Sequence, residues 1–202
     1  PNIDKIPLSE NEKTNPINPY GSSKLFTEKV IRDNEITNKD FKYVILRYFN
    51  VAGAEESLSI GECHEPETHL IPLIVKTALG KRDKIMIFGD DYNTKDGTCI
   101  RDYIHIDDLA SAHISSLEYL NDNKSNIFNC GYGYGFSVKE VINAVKKVSG
   151  VDFNVEVTNR REGDPAVLVA SNKKILEQTN WKPKYDNLEV ICKTALEWER
   201  KR

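Results

Sequence analysis

The chain has 202 residues, and 39% of them are hydrophobic, which is enough for a folded core and excludes a disordered or low-complexity protein. Its 28 Lys and Arg residues and 31 Asp and Glu residues give a net charge of −3. Because both signs are interleaved without a basic block, and no apolar run approaches the ~20 residues of a membrane helix, we expect neither a nucleic-acid nor a membrane partner.

The first part of the chain predicts an irregular segment, a helix, a strand and a loop. Residues 1–19 are polar and rich in proline, which is typical of an irregular surface segment. Residues 20–38 have helical spacing of apolar residues. Residues 41–49 form a nearly continuous apolar run, which favours a parallel strand buried on both faces. The glycines and acidic residues of 51–66 indicate a loop.

Strands and helices alternate over the rest of the chain. The predicted strands are 84–88, 101–106, 126–130 and 153–157, and the predicted helices are 69–79, 108–120, 137–148, 172–179 and 188–201. Ser137 and Glu140 form the S-x-x-E pattern of a capping box, and Asp107 is placed to cap the helix that follows it. This alternation predicts an α/β fold.

One motif near the start, Asn-Pro-Tyr20-Gly-Ser-Ser-Lys24, indicates acid–base chemistry. Residues four apart lie on one face of a helix, so Tyr20 and Lys24 can present their polar ends to one pocket. An ammonium group stabilises a nearby phenolate, and such a pair can take a proton from a sugar hydroxyl and return it. A tyrosine and a lysine one turn apart also occur by chance in many helices, so the interpretation depends on the surrounding motifs.

Further motifs follow in a fixed order. They are Leu46-Arg-Tyr-Phe-Asn50, His69-Leu-Ile-Pro72, Phe88-Gly-Asp-Asp-Tyr92, Asp96-Gly-Thr-Cys-Ile-Arg-Asp-Tyr-Ile-His105, Asn129-Cys-Gly131 and Arg160-Arg-Glu-Gly-Asp164. The series resembles the extended short-chain dehydrogenase/reductase family, and within it the UDP-sugar 4-epimerases, from about residue 7 to the C-terminus. The resemblance implies part of a Rossmann-type parallel sheet with a smaller α/β substrate-binding domain. Residues 1–50 would be the remainder of the dinucleotide-binding domain and 51–202 mainly the nucleotide-sugar-binding domain, with 101–122 packing back on the first.

The resemblance also implies an activity, a cofactor and site residues. The activity is the NAD-dependent interconversion of UDP-glucose and UDP-galactose through a 4-keto sugar, carried out by a homodimer that is joined through the helix at 20–38. Tyr20 would accept the proton and Lys24 would assist it, and both would contact the nicotinamide end of NAD together with Tyr48 and Phe49. The residues implied in UDP-sugar binding are Asn50, His69, Leu70, Met86, Ile87, Phe88, Arg101, Arg161, Asp164 and Leu168.

Two of these implications have a physical basis in the residue types. A planar guanidinium binds phosphate oxygens in a bidentate manner, which suits Arg101 and Arg161 to a diphosphate. Leu168 matches the position that lines the sugar's 2-substituent, and its intermediate size predicts that an N-acetyl group is accepted there.

The resemblance is incomplete at the start of the chain. A Gly-rich dinucleotide-binding turn is expected after a first strand, and this sequence has none in that position. Gly131, Gly133 and Gly135 follow a late strand and lack the acidic residue expected about 20 positions further on. The chain therefore resembles the C-terminal three-fifths of an epimerase, and we expect it to be inactive alone.

Two other functions remain open. Nucleotide-sugar dehydratases and decarboxylases share the Tyr-x-x-x-Lys motif, but they are not expected to have residues 92–101 in this form. A non-catalytic UDP-sugar-binding remnant is the other alternative.

The cysteines and histidines predict no metal centre. No C-x-x-C pair occurs among the four cysteines and the N-terminus lacks a secretion pattern, so we expect free thiols in a cytoplasmic protein. Cys63, His64 and His69 could contribute to a metal site, but no second ligand pair follows at zinc-finger spacing. His105 and His113 have no nucleophilic partner at a recognisable spacing and are expected to be structural.

Overall fold

A computed structural model of the protein describes residues 6–202 and has alternating helices and strands. The helices are α1 (Pro19–Thr37), α2 (Leu70–Ala78), α3 (Ile106–Asp122), α4 (Val138–Ser149), α5 (Lys173–Gln178) and α6 (Leu188–Lys201). The strands are β1 (Val44–Tyr48), β2 (Asn50–Ala52), β3 (Ile85–Phe88), β4 (Ile100–Arg101), β5 (Tyr103–His105), β6 (Asn126–Cys130), β7 (Phe136–Ser137), β8 (Val155–Thr158) and β9 (Val167–Leu168). The α/β class predicted from the sequence is confirmed.

Most strand pairs are parallel, and two successive strands, separated by a single residue, pair with different partners. Strand β1 pairs with β6 from Val44 opposite Asn126 to Tyr48 opposite Cys130. Only Phe49 separates β1 from β2, yet β2 pairs with β5. The other pairs are β3 with β8 and β4 with β9, both parallel, and β4 with β7, which is antiparallel. Because ligands bind at the carboxyl ends of parallel strands, the change of partners at Phe49 marks a candidate site.

Helix α1 is well capped but has little packing. The Asn18 side chain accepts a hydrogen bond from the backbone N–H of Gly21 at 2.8 Å, and Pro19 occupies the first turn, where a missing N–H costs nothing. None of the α1 residues is buried, and Phe26, Val30 and Ile36 are exposed. The helix therefore presents an apolar surface rather than inserting one into the core.

The core lies among α2, α4, α6 and the strands beside them. The predicted capping box is present, with Ser137 Oγ accepting from the backbone of Glu140 at 3.1 Å and the Glu140 carboxylate accepting from the backbone of Ser137 at 2.8 Å. Trp181 is fully buried, and its indole N–H donates to the carbonyl of Asp108 at 3.0 Å. Burial of the apolar side chains among these elements stabilises the fold.

Two predicted boundaries are wrong around residues 101–108. The strand expected over 101–106 is interrupted at Asp102, which separates β4 from β5. The helix expected over 108–120 begins two residues earlier, because the His105 ring nitrogen Nδ1 accepts from the Asp107 backbone at 3.2 Å and so replaces Asp107 as the cap.

Several short pairings lie where loops were predicted. Strands β2, β7 and β9 have two or three residues each, too few for a periodic pattern. Within the segment predicted to be irregular, residues 1–5 lie outside the described residues. Leu8 bridges to Ala170, with its N–H donating to the Val169 carbonyl at 2.9 Å and its carbonyl accepting from Ser171 at 2.8 Å. This segment is therefore fixed to the end of β9.

The cysteines are free, as predicted: Cys63 is exposed, and Cys99, Cys130 and Cys192 are buried. Burial raises the pKa of the Cys130 and Cys192 thiols to about 12, so both stay protonated. Across residues 6–202, no helix combines the length and the apolar character that crossing a bilayer requires.

Candidate active site

The tyrosine and lysine of the Tyr-x-x-x-Lys motif share one exposed face of α1. Tyr20 is 72% exposed, and Lys24 Nζ lies 5.2 Å from the centroid of its ring. The helical spacing therefore brings the two side chains together on one face of the helix, with the ammonium over the face of the phenol ring.

An ion pair that sequence reasoning missed joins α1 to the neighbouring strand. Arg47 donates from Nε and Nη2 to the two carboxylate oxygens of Glu28, each at 2.7 Å, and from Nη1 to the carbonyl of Glu10 at 3.3 Å. The guanidinium holds the pKa of the Glu28 carboxyl below its ordinary value. A bidentate pair fixes direction as well as distance, so it orients α1 beside β1.

The carboxyl end of β1 presents Tyr48, Phe49 and Asn50 in succession. Tyr48 is exposed and Phe49 is half-buried. The backbone N–H and the side-chain amide of Asn50 both donate to the carbonyl of Asp102, at 3.1 and 2.9 Å. These two hydrogen bonds join the point where β1 ends and β2 begins to the point where β4 ends and β5 begins.

Asp102 is the buried centre of this junction. Its carboxylate accepts from the backbone N–H groups of Tyr132, Ala170 and Gly133, at 3.0, 3.2 and 3.4 Å. Burial raises its pKa to about 6, while these N–H groups act in the opposite direction. A Cβ on Gly131 would lie 2.5 Å from the carboxylate oxygen Oδ2, so only glycine fits there. The Gly-rich turn after β6 thus encloses a carboxylate.

Arg101, Asp164 and Arg161 come together, although they are far apart in the sequence. Asp164 lies between the two guanidinium groups, with Oδ1 3.5 Å from Arg101 Nη2 and Oδ2 4.0 Å from Arg161 Nε. Arg101 also donates to the carbonyl of Pro165 at 2.7 Å, and its side chain is only 15% exposed. Arg161 is 60% exposed. One arginine is therefore fixed, and the other is free to turn towards a ligand.

The strand β3 alternates between the core and the surface. Ile87 is buried in the core, whereas Met86 is half-buried and Phe88 is 42% exposed. Successive side chains of a strand point to opposite faces, so Ile87 offers a ligand only its backbone. The Arg161 guanidinium lies 4.6 Å from the centroid of the Phe88 ring, which places this aromatic surface beside the arginine cluster.

The adjacent Arg160 has different partners. Its Nε donates to an Asp91 carboxylate oxygen at 2.6 Å, and its guanidinium lies 4.1 Å from the Tyr92 ring centroid. Of the two adjacent arginines, Arg161 is therefore the one beside the other predicted site residues.

Three further predicted residues lie on neighbouring elements. Leu168 is the register partner of Arg101 in the parallel pair of β4 and β9, so the two side chains share one face. His69 precedes α2 as its N-cap residue without a side-chain capping bond, and Leu70 is the half-buried first residue of that helix. The structure thus brings the predicted residues together in two groups. One is Tyr20 with Lys24, and the other is the arginine cluster with Phe88 and Leu168. The hydrogen bonds from Asn50 reach the carbonyl of Asp102, the residue next to Arg101.

The buried His105 is a structural residue, as the sequence suggested. Its Nδ1 accepts from Asp107, its Nε2 lies 3.1 Å from the Thr194 hydroxyl, and its ring stacks on Tyr185 at 4.5 Å. Burial lowers its pKa, so the ring is neutral with the proton on Nε2. The ring's two nitrogens are engaged in holding α3 and α6 in place.

Residues 1–131 match the NAD dependent epimerase/dehydratase family. The UDP-glucose 4-epimerase of Streptococcus mutans is 50% identical over 196 residues, which are 96% of this chain and 59% of that protein.

Two solved structures are similar in fold. The UDP-Glc/GlcNAc 4-epimerase from the human pathogen Campylobacter jejuni is 58% identical with a TM-score of 0.80, over 96% of this chain and 59% of that one. The UDP-glucose-4-epimerase from Stenotrophomonas maltophila, solved with bound NAD and formylated UDP-arabinopyranose, is 39% identical with a TM-score of 0.93, over 98% and 59%. The chain spans about three-fifths of the length of these relatives.

Proposed function

Because this chain belongs to the NAD dependent epimerase/dehydratase family, we propose that it acts in the NAD-dependent interconversion of UDP-glucose and UDP-galactose. The observation that carries the proposal is the pairing of an exposed tyrosine and lysine on α1 with a cluster of two arginines and an aspartate beside Phe88. The first group suits proton transfer at a sugar hydroxyl, and the second suits the diphosphate and ribose of UDP.

The residues around the end of β1 fit the nicotinamide end of NAD. Tyr20 and Lys24 offer an exposed hydroxyl and an ammonium, and Tyr48 and Phe49 offer aromatic surface at the carboxyl end of a parallel strand. When bound, NAD supplies a reversible hydride acceptor for C4 of the sugar. Lys24 would donate a hydrogen bond to the nicotinamide ribose and hold positive charge beside the Tyr20 ring.

The proton at the sugar's 4-hydroxyl is assigned to Tyr20. As C4 is oxidised to the ketone, the Tyr20 phenolate accepts this proton, and it returns the proton to the oxygen when C4 is reduced. Return of the hydride to the other face of the sugar inverts C4 and leaves every group as it began. Lys24 is assigned to the same pocket, since its ammonium lies 5.2 Å from the centroid of the Tyr20 ring.

The UDP portion is assigned to the arginine cluster. Arg101 is held by Pro165 and Asp164, so it is positioned before a ligand arrives, and the exposed Arg161 swings from Phe88 to the diphosphate. Phe88, with Met86 and the backbone of Ile87, borders the uracil. Asp164 accepts from a ribose hydroxyl, and Asn50, His69 and Leu70 line the sugar side.

The substrate range is expected to include N-acetylated sugars. Leu168 shares a face with Arg101 and leaves more room at the sugar's 2-substituent than a tyrosine would. The Campylobacter jejuni relative is itself described as a UDP-Glc/GlcNAc epimerase. Steady-state kinetics with both sugars test this, and a preference above about a thousandfold for UDP-glucose, ~4 kcal/mol in transition-state binding, would contradict it.

The domain division and assembly follow the same proposal. Residues 1–50, with 101–122 packed against them, belong to the cofactor domain, and 51–202 mainly bind the nucleotide sugar. The exposed apolar residues of α1 support a homodimer through this helix, in a cytoplasmic enzyme. Light scattering at micromolar concentration tests the assembly, and a monomer alone would refute it.

A chimaera tests the activity. The N-terminal part of the Campylobacter jejuni relative that this chain does not cover is joined to residues 1–202. We expect the chimaera to convert UDP-galactose to UDP-glucose in a coupled assay. A folded chimaera that binds NAD and UDP but gives no turnover would contradict the proposal, and release of a dehydrated or decarboxylated sugar would favour the related enzymes instead.

A further inference from the structure

The loop before α2 brings together two imidazoles and two carboxylates. The ligand atoms of Glu62, His64, Glu67 and His69 all lie within 4.8 Å of one another. Glu62 Oε1 lies 2.8 Å from His64 Nδ1 and 2.6 Å from His69 Nδ1, and Glu67 Oε1 lies 3.2 Å from His69 Nδ1. The four side chains therefore converge on one small volume.

This volume has the size of a zinc coordination sphere. Zinc bonds to nitrogen and oxygen are about 2.0–2.2 Å long, so neighbouring ligands of a tetrahedral ion are about 3.3–3.6 Å apart. The separations here extend from 2.6 to 4.8 Å. These separations lie on both sides of the tetrahedral value, and the two imidazole side chains are exposed enough to rotate, at 59% and 56%.

The Glu67 carboxylate and the backbone of Glu62 are held in place by their surroundings. Glu67 Oε1 accepts from the backbone N–H groups of Thr68 and His69, at 2.7 and 2.8 Å. The carbonyl of Glu62 accepts from the Trp198 indole at 2.8 Å, which ties this end of the loop to α6. A Cβ on Gly61 would lie 2.3 Å from the Trp198 ring, so the close approach requires glycine. Ligands oriented in this way by their neighbours bind metals more tightly.

The charge and the chemistry of the donors select a class of ion. Two carboxylates and two neutral imidazoles balance the charge of a divalent cation. Imidazole ligands favour zinc and its transition-metal neighbours over magnesium or calcium, which prefer oxygen ligands alone. Four protein ligands leave no open position, which is typical of a structural zinc site.

We propose that Glu62, His64, Glu67 and His69 form a structural Zn²⁺ site that fixes the loop before α2. The site shares His69 with the residues proposed to line the sugar side, but its test needs neither NAD nor UDP, so the two proposals can fail separately. Sequence reasoning considered Cys63 together with the two histidines and predicted no site. The Cys63 thiol is exposed and is not among the converging groups, and the glutamates that complete the set were not considered.

The test is calorimetric titration of Zn²⁺ alone into the purified, chelator-treated chain. We expect one equivalent to bind, an increase in the melting temperature, and, with Co²⁺ instead, the visible absorption of a tetrahedral ion. His64→Ala should weaken binding by more than about 100-fold, since loss of a ligand costs more than loss of a supporting contact. His64 is exposed and contacts Glu62 alone in hydrogen bonding, so this change should not disturb folding, which circular dichroism checks. Glu62→Gln is the second ligand variant.

Two matched controls separate this site from adventitious binding. His113→Ala removes another exposed histidine, on α3, and Cys63→Ser removes the neighbouring thiol, so both should bind Zn²⁺ as the unchanged chain does. The proposal is overturned if the chain binds no Zn²⁺, if binding survives both ligand variants, or if Cys63→Ser abolishes it. Equal affinity for Mg²⁺ would also overturn it.

Discussion

Helix α1, which carries Tyr20 and Lys24, buries none of its residues, whereas α4 buries Val141, Ile142, Ala144 and Val145 in the core. Helix α1 is held by the ion pair of Glu28 with Arg47 and by one cap. Helix α4 packs against α2 and α6, and the buried Asp102, next to Arg101, accepts hydrogen bonds from distant backbone N–H groups. The contrast predicts that the residues proposed for proton transfer can change without loss of stability, while the region proposed to bind the nucleotide depends on its core.

The largest expected effect is on catalysis. In the chimaera, Tyr20→Phe should lower kcat by about 10²–10⁴-fold, the usual contribution of a general acid–base group. Because Tyr20 is exposed on a helix with no buried residue, the melting temperature should not change. Tyr43→Phe, at the residue that precedes β1, is the control and should leave kcat as it was. A Tyr20→Phe variant that retains full activity would contradict the assignment of proton transfer to Tyr20.

The next effect is on stability in the nucleotide region. Gly131→Ala should lower the free energy of unfolding by about 1–3 kcal/mol, since the new Cβ would lie 2.5 Å from the Asp102 carboxylate. Gly21→Ala places the same methyl group in α1, where the nearest atom is 3.0 Å away and alanine gains about 1 kcal/mol of helix propensity. Urea unfolding should therefore separate the two variants, and equal losses would show that both regions pack alike.

A change of similar size is expected in UDP affinity. Arg161→Ala should weaken UDP binding by about 10–100-fold, because a charge-assisted contact with phosphate is worth about 1.5–3 kcal/mol. Its side chain is exposed, so stability should be retained. Arg160→Ala provides the comparison, since that arginine is engaged by Asp91 and Tyr92 and should affect UDP binding less. The reverse order of the two variants in calorimetry would exclude Arg161 as the diphosphate ligand.

Asp102 should make the free energy of unfolding depend on pH. Its pKa is raised from 3.8 to about 6, so the folded state holds this proton more tightly than the unfolded state. The stability it contributes is present below pH ~4 and is lost as the pH rises through about 6, by roughly 3 kcal/mol. Relative to the unchanged chain, Asp102→Asn should be more stable at pH 7 than at pH 4.5. Parallel stability curves for the two proteins would contradict the raised pKa.

The smallest effect is expected at the ion pair that orients α1. Glu28→Gln should cost about 1 kcal/mol or less of stability, because the pair is only partly buried, and should lower kcat of the chimaera by misplacing Tyr20. The guanidinium lowers the Glu28 pKa, so its stabilisation is present near neutral pH and is lost on acidification. Loss of stability without loss of kcat would show that the pair does not position the helix.

What the sequence predicted well depended on local patterns. The helical spacing of Tyr20 and Lys24 and the capping box of Ser137 with Glu140 are set by residues within one turn, and the structure contains both. The alternation of strands and helices also predicted the α/β class correctly. The His105 cap was missed because the prediction relied on Asp107, although an imidazole nitrogen can also accept the capping bond.

What the sequence did not predict depends on distant residues. Asn50 and Asp102 are 52 residues apart in the sequence, and Arg47 and Glu28 are 19 apart, so no local pattern predicts either contact. The strand β9 has two residues, yet it sets Leu168 beside Arg101. The arginine cluster was predicted only as a set of separate family positions, and its geometry came from the packing of these short strands.

The comparison of the two regions is tested most directly by titrating UDP into the chain of residues 1–202 and then adding NAD and UDP-galactose. We predict saturable UDP binding, which Arg161→Ala weakens, and no epimerisation. The residues proposed to contact NAD serve only its nicotinamide end, and a Gly-rich pyrophosphate turn is needed to hold the rest. A folded chain that binds no UDP would contradict the nucleotide side of the account. Turnover that disappears with Tyr20→Phe would contradict the claim that residues 1–202 alone do not hold NAD well enough for epimerisation.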